Sequence, residues 1–426
     1  MVKKRILFCG NSLINFTGLG YVAINFLKQC YNTKKYELGY NCVAGNDTVP
    51  EDFLKFGKEF EELSKNVVIY NCQTDDPQKT MMFDDEVVHD FNPDVVITFL
   101  DPWQMEQIVY SAYKANFHLI SYLTVETPDF PDNMTYPTAY NPNFRKSMRN
   151  FMKRVDTIIP VTKMGKEALE KAGLTNVVDN IYNGLDFKRR CRIDTRKQEI
   201  FGSPLVNDDT FIFMTMGKNN ERKKIDVTVR AFAEFLKQVD KPENYKLYVH
   251  SNVNEMCGGT DIMSLTLDLG IGDNFIGQQV IKGIPPMSLQ DLYRRYSAID
   301  CYIALPSGEG FCYGFAEAMM HRKPCIYIDY GGHAEYLEDI GLPVKVKEWF
   351  YARNIPMKWA LADIDDAVQQ MLRVAKDEEW RKWAGQQGFL QAQKFEWGII
   401  GKQFVEAIEE SASTFIKSSF NLKRIL

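Results

Sequence analysis

Two glutamates spaced eight residues apart, Glu309 and Glu317, are the side chains best placed for chemistry in this sequence. Glu309 follows the apolar run Cys301 to Leu305, and Glu317 lies in the helix-forming run Phe315 to Met320. On one ideal helix they would lie about 80° and about 12 Å apart, so we place Glu309 on the loop and Glu317 in the helix. Carboxylates accept hydrogen bonds from paired hydroxyls, and a helix N-terminus favours phosphate. The segment therefore indicates a sugar joined to a nucleotide, with helix capping by Glu309 and a solvated Glu317 as the structural alternative.

A group of cations lies between Lys218 and Lys224, where four of seven residues are basic. The group includes Arg222 and Lys223, and it directly follows a predicted strand that begins at Thr210. Parallel α/β sheets bind ligands at the carboxyl ends of their strands, and a diphosphate needs cationic donors, most of all when it leaves and gains charge. A solvated basic turn is the alternative, and the glutamate pair in the same predicted domain favours the phosphate site.

A glycine turn, Thr17-Gly18-Leu19-Gly20, follows the first predicted strand and opens a helix. Gly18 and Gly20 would let a ligand approach the backbone closely. The third glycine of the dinucleotide fingerprint is missing, so a plain strand-to-helix turn is an equal alternative.

No metal site is predicted. The triplet Asp363-Ile364-Asp365 has the pattern that metal-dependent sugar transferases use, but it opens a predicted helix from Asp366 to Lys376, which favours capping. The histidines show no metal-ligand spacing, and His118, at the start of a strand, is interpreted as structural. The five histidines are His89, His118, His250, His321 and His333.

Composition and charge exclude several classes of protein. The 426 residues carry a net charge of -5, which argues against a nucleic-acid partner. The nine cysteines have no regular spacing, which favours free thiols in a reducing cytosol. The first apolar run, Ile6 to Cys9, is shorter than the apolar core of a signal peptide, and no run reaches the length of a membrane span. We therefore predict a cytoplasmic protein.

Two basic segments raise the hypothesis of peripheral contact with an anionic membrane at the cytoplasmic face. One runs from Arg145 to Arg154 with interleaved Phe144, Phe151 and Met152, and the other is the tail Phe415 to Leu426. A helix with its apolar face on the sheet and a solvated basic face explains the first segment equally well.

Short apolar runs alternate with amphipathic segments, which predicts an α/β fold with two doubly wound parallel sheets. The charged segment Asp186 to Asp209 interrupts the alternation and is interpreted as a linker. We thus predict domains at 1–200 and 201–390, followed by a C-terminal helix within 391–426. The predicted strands are Arg5 to Cys9, Asp94 to Leu100, His118 to Leu123, Thr157 to Pro160, Thr210 to Gly217, Lys246 to His250, Asp300 to Leu305 and Pro324 to Asp329.

Taken together, these segments resemble the retaining glycosyltransferases of family 4, which have the GT-B fold of two Rossmann-like domains facing across a cleft. The resemblance covers nearly the whole chain. It is carried by TGLGYVA, IIPVTKMGKEALEKAG, NIYNGLD, MGKNNERKKID, SAIDCYIALPSGEGFCYGFAEAMMHRKP, GGHAEYLED and KFEWGIIGKQF. The last resembles the closing helix that crosses back to the first domain.

The resemblance implies a role for each motif residue. Glu309 would contact the hydroxyls of the donor sugar and Glu317 the ribose. Lys218, in place of the family's Arg, would bind the diphosphate with Lys223 and the adjacent Arg222. The backbone groups implied near the phosphates and sugar are those of Gly310, Phe311, Cys312, Gly18 and Gly20.

The chain departs from the family pattern in its first domain. Many members carry a histidine at the end of a strand near the donor sugar, whereas this strand ends in Thr124-Val125-Glu126. Glu126 or Thr124 would take that role, and the loop with Asp101 and Trp103 would face the acceptor. Trp103, Phe130 and Tyr136 could stack on a sugar or serve only for packing.

The predicted function is metal-independent, retaining transfer of a hexose from a UDP- or GDP-sugar to a glycan, lipid or small-molecule acceptor. No cofactor is expected beyond the donor. Two alternatives stay open: a sugar-nucleotide epimerase of the same fold, and a non-catalytic protein that binds nucleotide sugars.

Overall fold

The chain forms two compact α/β units. The computed structural model describes residues 3–13, 17–44, 48–71, 85–130, 148–190, 196–251, 253, 258–277, 287–351 and 357–413. The first unit contains the residues up to Gly184 together with those from Trp397 on, and the second contains Leu185–Ala352 and Lys358–Glu396. Among the described residues, no helix is both long and apolar enough to cross a membrane.

The first unit is built on a six-stranded parallel sheet. Its strands are β1 (Lys4–Asn11), β2 (Tyr36–Ala44), β3 (Val68–Asn71), β4 (Val95–Thr98), β5 (His118–Leu123) and β6 (Thr157–Pro160), in the order β3-β2-β1-β4-β5-β6. Its helices up to Lys171 are α1 (Gly18–Asn32), α2 (Glu61–Asn66), α3 (Asp85–Phe91), α4 (Glu106–Ala115), α5 (Met148–Met152) and α6 (Lys163–Lys171). Every residue of β4, β5 and β6 is buried, as expected for parallel strands covered by helices.

The second unit repeats this topology. Its sheet contains β7 (Phe211–Met216), β8 (Tyr245–His250), β9 (Phe275–Gly277), β10 (Cys301–Ala304), β11 (Cys325–Ile328) and β12 (Leu342–Val344), in the order β12-β11-β10-β7-β8-β9. Its helices are α7 (Lys197–Phe201), α8 (Ile225–Leu236), α9 (Ile262–Asp268), α10 (Leu289–Ala298), α11 (Tyr313–Met320), α12 (Ala334–Leu337), α13 (Ile364–Lys376) and α14 (Glu378–Ala392). An antiparallel hairpin, β13 (Val346–Tyr351) and β14 (Lys358–Ala362), follows β12.

The C-terminal helix α15 (Trp397–Ser411) packs on α1 in the first unit. The Phe404 and Phe26 rings stack at 3.8 Å between centroids, and Trp397 meets Phe26 edge-on at 5.2 Å. His118, at the start of β5, hydrogen-bonds through Nε2 to Ser411 Oγ at 2.6 Å, so this histidine holds the helix end to the sheet.

The predicted fold class, α/β with two doubly wound parallel sheets, is confirmed, and each predicted strand is present within one or two residues of its predicted ends. Strands β2, β3, β9 and β12 and the β13–β14 hairpin were not predicted. The segment Asp186 to Asp209 is not only a linker, because from residue 196 on it forms part of the second unit. There Ile200 and Phe201 are buried, and Lys197 Nζ pairs with Asp300 at 2.8 Å. The unit division at Gly184 therefore lies before the boundary placed at residue 200.

Candidate functional site

The candidate site lies in the second unit, where the strand order reverses between β7 and β10. In open parallel sheets, ligands bind outside the carboxyl ends of the strands at such a switch point. The loop after β7 carries Lys218 to Lys224, and the loop after β10 carries Glu309. A backbone hydrogen bond from Ser307 N to Arg222 O, 2.8 Å long, joins the two loops. The topology thus brings the predicted cations and the first predicted glutamate together.

Glu309 forms an ion cluster with two of these cations. Its Oε1 is in contact with both Arg222 Nη1 and Lys223 Nζ, and the side chain is buried. Arg222 Nη1 also donates to Gly308 O at 2.9 Å, which fixes the guanidinium against the loop. Burial by itself would raise the pKa of Glu309, but the charges and hydrogen bonds of Arg222 and Lys223 outweigh it and lower the pKa to about 2. Glu309 is therefore an anion at neutral pH.

Lys218 does not take part in this cluster. Its side chain is exposed, and it forms no ion pair within the described part of the chain. The adjacent Gly217 has a φ of +158°, and a Cβ there would lie 3.1 Å from Cδ of Lys223. The turn thus directs Lys223 inward and leaves Lys218 at the surface. A diphosphate role for Lys218 stays a prediction.

Hydrogen bonds from Tyr336 hold the turn that follows Glu309. Cys312 caps α11 with a left-handed backbone (φ 53°), and Tyr336 donates its hydroxyl to Phe311 O and, at 3.1 Å, to Cys312 O. The Phe311 ring is buried beside Tyr313, Tyr336 and Phe395, so it anchors the turn in the core of the second unit. A non-glycine residue in the left-handed region is costly and is often found at functional sites. The predicted backbone roles of Gly310, Phe311 and Cys312 are not tested by this geometry.

Glu317 has the opposite environment from Glu309. It is buried in α11, where Tyr293 lies 3.5 Å from Oε1 and Tyr296 also hydrogen-bonds to the carboxyl group. Oε2 is buried without a partner among the described residues. Burial raises the pKa of Glu317 to about 7, against the hydrogen bonds of the two tyrosines. A buried polar oxygen without a partner is unfavourable, so Oε2 is suited to accept a hydrogen bond from a ligand hydroxyl.

His333 is a site residue that the sequence analysis missed. It is fully buried, and its ring stacks on Phe315 at 5.0 Å. Neither ring nitrogen meets hydrogen-bond geometry with a described residue, although the Ile328 backbone lies close enough to raise the pKa of the ring. Burial lowers its pKa to about 4, although the charge of Glu309 acts in the opposite direction. The motif GGHAEYLED, which contains His333, was the available signal in the sequence. Its two glycines, Gly331 and Gly332, lie directly against the backbone of Glu309.

In the first unit the predicted residues have local structural contacts. Thr17 caps α1 and accepts from Gly20 N at 3.1 Å, so this amide is already engaged, while Gly18 is exposed. Asp101 N donates to Gln104 Oε1 at 3.0 Å in a capped turn. Thr124 and Glu126 follow β5 and are half-buried. Their predicted acceptor and donor roles stay predictions.

Some of the remaining aromatic and basic residues selected from the sequence serve for packing, and others lie outside the described residues. Phe130 packs against the core of the first unit. The side chain of Trp103 lies outside the described residues, as do Tyr136, residues 144–147 and the tail from residue 414. In the described part of the first basic segment, Met152 is buried and Phe151 packs against the core of the first unit, as expected for a helix with its apolar face on the sheet. The predicted membrane contact stays a prediction.

Asp363 caps α13. Its side chain accepts from Asp366 N at 3.1 Å, which confirms the capping interpretation of the acidic triplet. Within the described residues, no group of three or more His, Cys, Asp or Glu side chains could hold a metal ion. The described cysteines are free and buried.

Comparisons with known proteins agree with this geometry. Residues 196–349, which include β7, the ion cluster and α11, match the family model described as "Glycosyl transferases group 1". No curated protein matches the chain in sequence.

Several solved structures share the fold. The Anabaena protein Alr3699/HepE, solved with UDP and glucose, is 15% identical over 96% of this chain and 100% of its own, with a TM-score of 0.67. A glycosyltransferase from Rickettsia africae is 14% identical over 97% and 100%, with a TM-score of 0.68. Sucrose-phosphate synthase from Thermosynechococcus elongatus is 15% identical over 96% and 99%, with a TM-score of 0.66. At this level of identity the likeness shows the two-domain α/β fold, the GT-B fold of these glycosyltransferases.

Proposed function

We propose that this protein is a glycosyltransferase that moves a hexose from a nucleoside-diphosphate sugar, UDP- or GDP-linked, to a glycan, lipid or small-molecule acceptor. The observation that carries the proposal is the cluster of Arg222, Lys223 and Glu309 at the switch point of the second sheet. The match of residues 196–349 to group 1 glycosyl transferases and the UDP and glucose named for the similar Anabaena structure support it.

The cluster suits a leaving diphosphate. Two cations held at one carboxylate can bind two phosphate oxygens once a diphosphate competes for them, since both anions use the same donors. As the bond between the sugar C1 and the phosphate oxygen breaks, its electron pair adds negative charge to the diphosphate, and fixed cations stabilise that charge. Glu309, released from the cations, would then accept hydrogen bonds from the sugar hydroxyls.

Glu317 suits a pair of ribose hydroxyls. No residue that the structure describes pairs with Oε2, and Tyr293 and Tyr296 hold the other side of the carboxyl group. A ribose hydroxyl that donates to this oxygen would satisfy it and favour its ionised form.

Reaction with retention requires no enzyme nucleophile in this proposal. The acceptor oxygen attacks C1 from the face that the diphosphate leaves, and its proton passes to a phosphate oxygen. The chain's own residues would act by positioning both substrates and by stabilising the departing charge. Metal independence belongs to this proposal, and transfer in the presence of EDTA tests it.

The first experiment is a thermal-shift screen with UDP-, GDP- and ADP-sugars. A donor at 100 times its Kd stabilises the folded state by about 2.7 kcal/mol, which is readily measured. The donor that binds is then incubated with and without acceptor mixtures, and both sugar transfer and sugar identity are followed. A changed sugar without acceptor would support the epimerase, and tight binding with no turnover on any acceptor would support the non-catalytic protein.

A further inference from the structure

A cavity of about 810 Å³ opens in the second unit at the β12 edge of the sheet. Its lining contains none of the residues of the Arg222–Lys223–Glu309 cluster. Its walls come from β11, α12 and the turn after it, β12, α13 and α14. The lining residues are Tyr327, Asp329, Ala334, Glu335, Glu338, Asp339, Gly341, Leu342, Pro343, Arg373, Trp380 and Trp383.

The cavity is strongly acidic. Asp329, Glu335, Glu338 and Asp339 face a single cation, Arg373, which gives the lining a formal charge of -3. Asp329, Glu338 and Asp339 form no ion pair with any residue that the structure describes. Like charges gathered on one wall repel one another, so a bound cation would stabilise the folded unit.

The Tyr327 hydroxyl also lines the cavity. Tyr327 as a residue is only 3% exposed, and no residue that the structure describes hydrogen-bonds to its hydroxyl. Burial and the nearby charges of Asp329, Glu338 and Asp339 raise the pKa of Tyr327, so the hydroxyl keeps its proton. The oxygen is therefore left to accept a hydrogen bond from a ligand N–H.

Two tryptophans one helical turn apart on α14 complete the wall. Trp383 is 47% exposed, and Trp380 already holds a cation, because the Arg373 guanidinium lies 5.3 Å from its ring centroid. Indole faces attract ammonium and guanidinium groups, with the strongest effect where carboxylates add their charge. The exposed Trp383 ring offers a second such face.

We propose that this cavity binds a small organic cation with two or more ammonium groups, of the polyamine class. The carboxylates come from three places, the end of β11, α12 and the turn that follows, so they surround a ligand along its length. Separated ammonium groups can pair with Asp329, Glu338 and Asp339, an N–H can reach Tyr327, and the chain between them can lie on Trp383.

Titration calorimetry with spermidine tests the proposal on the full chain. We expect saturable binding with a stoichiometry of one, weakened about tenfold or more by the Glu338→Gln/Asp339→Asn double variant and by Trp383→Ala. Glu379→Gln, an exposed change on the same helix outside the cavity, is the matched control and should leave the affinity unchanged. Thermal melting of each variant verifies that it folds.

Any of four results would overturn the proposal. Spermidine could fail to bind, the double variant could bind it as tightly as the wild type, or Mg²⁺ at equal charge could displace it completely and show a site for any counterion. A neutral oligosaccharide that binds with the same dependence on Trp383 would equally reject a cation site. Because Lys223→Ala should leave spermidine binding intact, the result is independent of the proposed transferase activity.

Discussion

The two sheets have the same strand order along the chain, yet their switch points carry different chemistry. Between β1 and β4, Gln104 Nε2 donates to Asn11 Oδ1 at 3.4 Å, and Asp101 belongs to a capped turn. Between β7 and β10, buried Glu309 holds two cations. Topology thus creates two candidate ligand positions, and the pair of cations at the second favours it for phosphate.

The largest effect is expected from Lys223→Ala. The loss of one fixed cation at the leaving group should reduce kcat by about 10³-fold or more, since removal of a single charge-stabilising donor commonly costs 10²–10³-fold. Steady-state transfer assays with the identified donor measure this effect. Lys237→Ala, which removes an exposed lysine paired with Glu234, is the control. Equal rates for Lys223→Ala and the control would place the phosphate site elsewhere.

Glu309→Gln should separate binding from transfer. The change removes the anion that competes for Arg222 and Lys223, so UDP or GDP should bind as tightly as to the wild type or more tightly. Transfer should fall by about 10²-fold, because the sugar hydroxyls lose a charged acceptor. Calorimetry with the nucleotide and a transfer assay give the two values. A parallel loss of both would show that Glu309 mainly holds the loops together.

Glu317→Gln should affect nucleotide binding more than turnover. The amide keeps the shape of the side chain but accepts hydroxyl hydrogen bonds without charge assistance, so we expect a rise of about tenfold in the Kd of the nucleotide. Deoxyribose nucleotides should bind the wild type as weakly as ribose nucleotides bind the variant. An unchanged Kd would remove Glu317 from the ribose site.

The two glutamates should also give opposite pH dependences of stability. The pKa of Glu317 is raised from 4.5 to about 7, so the folded state keeps a proton that the unfolded state releases, and the free energy of unfolding should fall as pH rises from 4.5 to 7. The pKa of Glu309 is lowered to about 2, so its contribution is present above pH 4.5 and is lost as pH falls towards 2.

Urea unfolding of the wild type and both glutamine variants at pH 4, 5, 6 and 7 measures these contributions. Glu317→Gln should gain stability relative to the wild type as pH rises through this range. Glu309→Gln should lose most at pH 7. The same pH profile for both variants would contradict the two environments.

The smallest effect is expected at the first switch point. Asp101→Asn and Glu126→Gln should leave the Kd of the nucleotide within about twofold, since the charged cluster lies in the second unit. A raised KM for the acceptor, with kcat unchanged, would support their predicted acceptor-side role. A tenfold loss of nucleotide affinity would instead show that the first switch point also binds the nucleotide.

Much of the fold could be predicted from local patterns. Buried parallel strands give continuous apolar runs, which is why β5 and β6 were predicted with their observed ends. The cap of α13 follows from Asp363 and the acidic first turn. Strand β3 was missed because its residues are exposed or only partly buried, so it gives no continuous apolar run.

The candidate site was predictable in composition but not in its contacts. The sequence analysis selected all four residues, Glu309, Glu317, Arg222 and Lys223. It gave Glu309 a role at the sugar and the two cations a role at the diphosphate, and so did not predict that Glu309 pairs with both cations. The tyrosines that surround Glu317 come from α10, and no spacing rule links them to α11.

The amino-acid sequence alone was enough to place most of the strands in succession along the chain, to locate helix caps, and to give the types of side chain at the strand ends. These follow from patterns within a few residues, where backbone preferences and apolar periodicity act. Only the tertiary structure decided which charges meet. Arg222 and Glu309 are 87 positions apart, and their contact, together with burial, gives Glu309 and Glu317 opposite pKa shifts. Solvation and pairing depend on the folded surroundings of a group, and neighbours along the chain do not specify them.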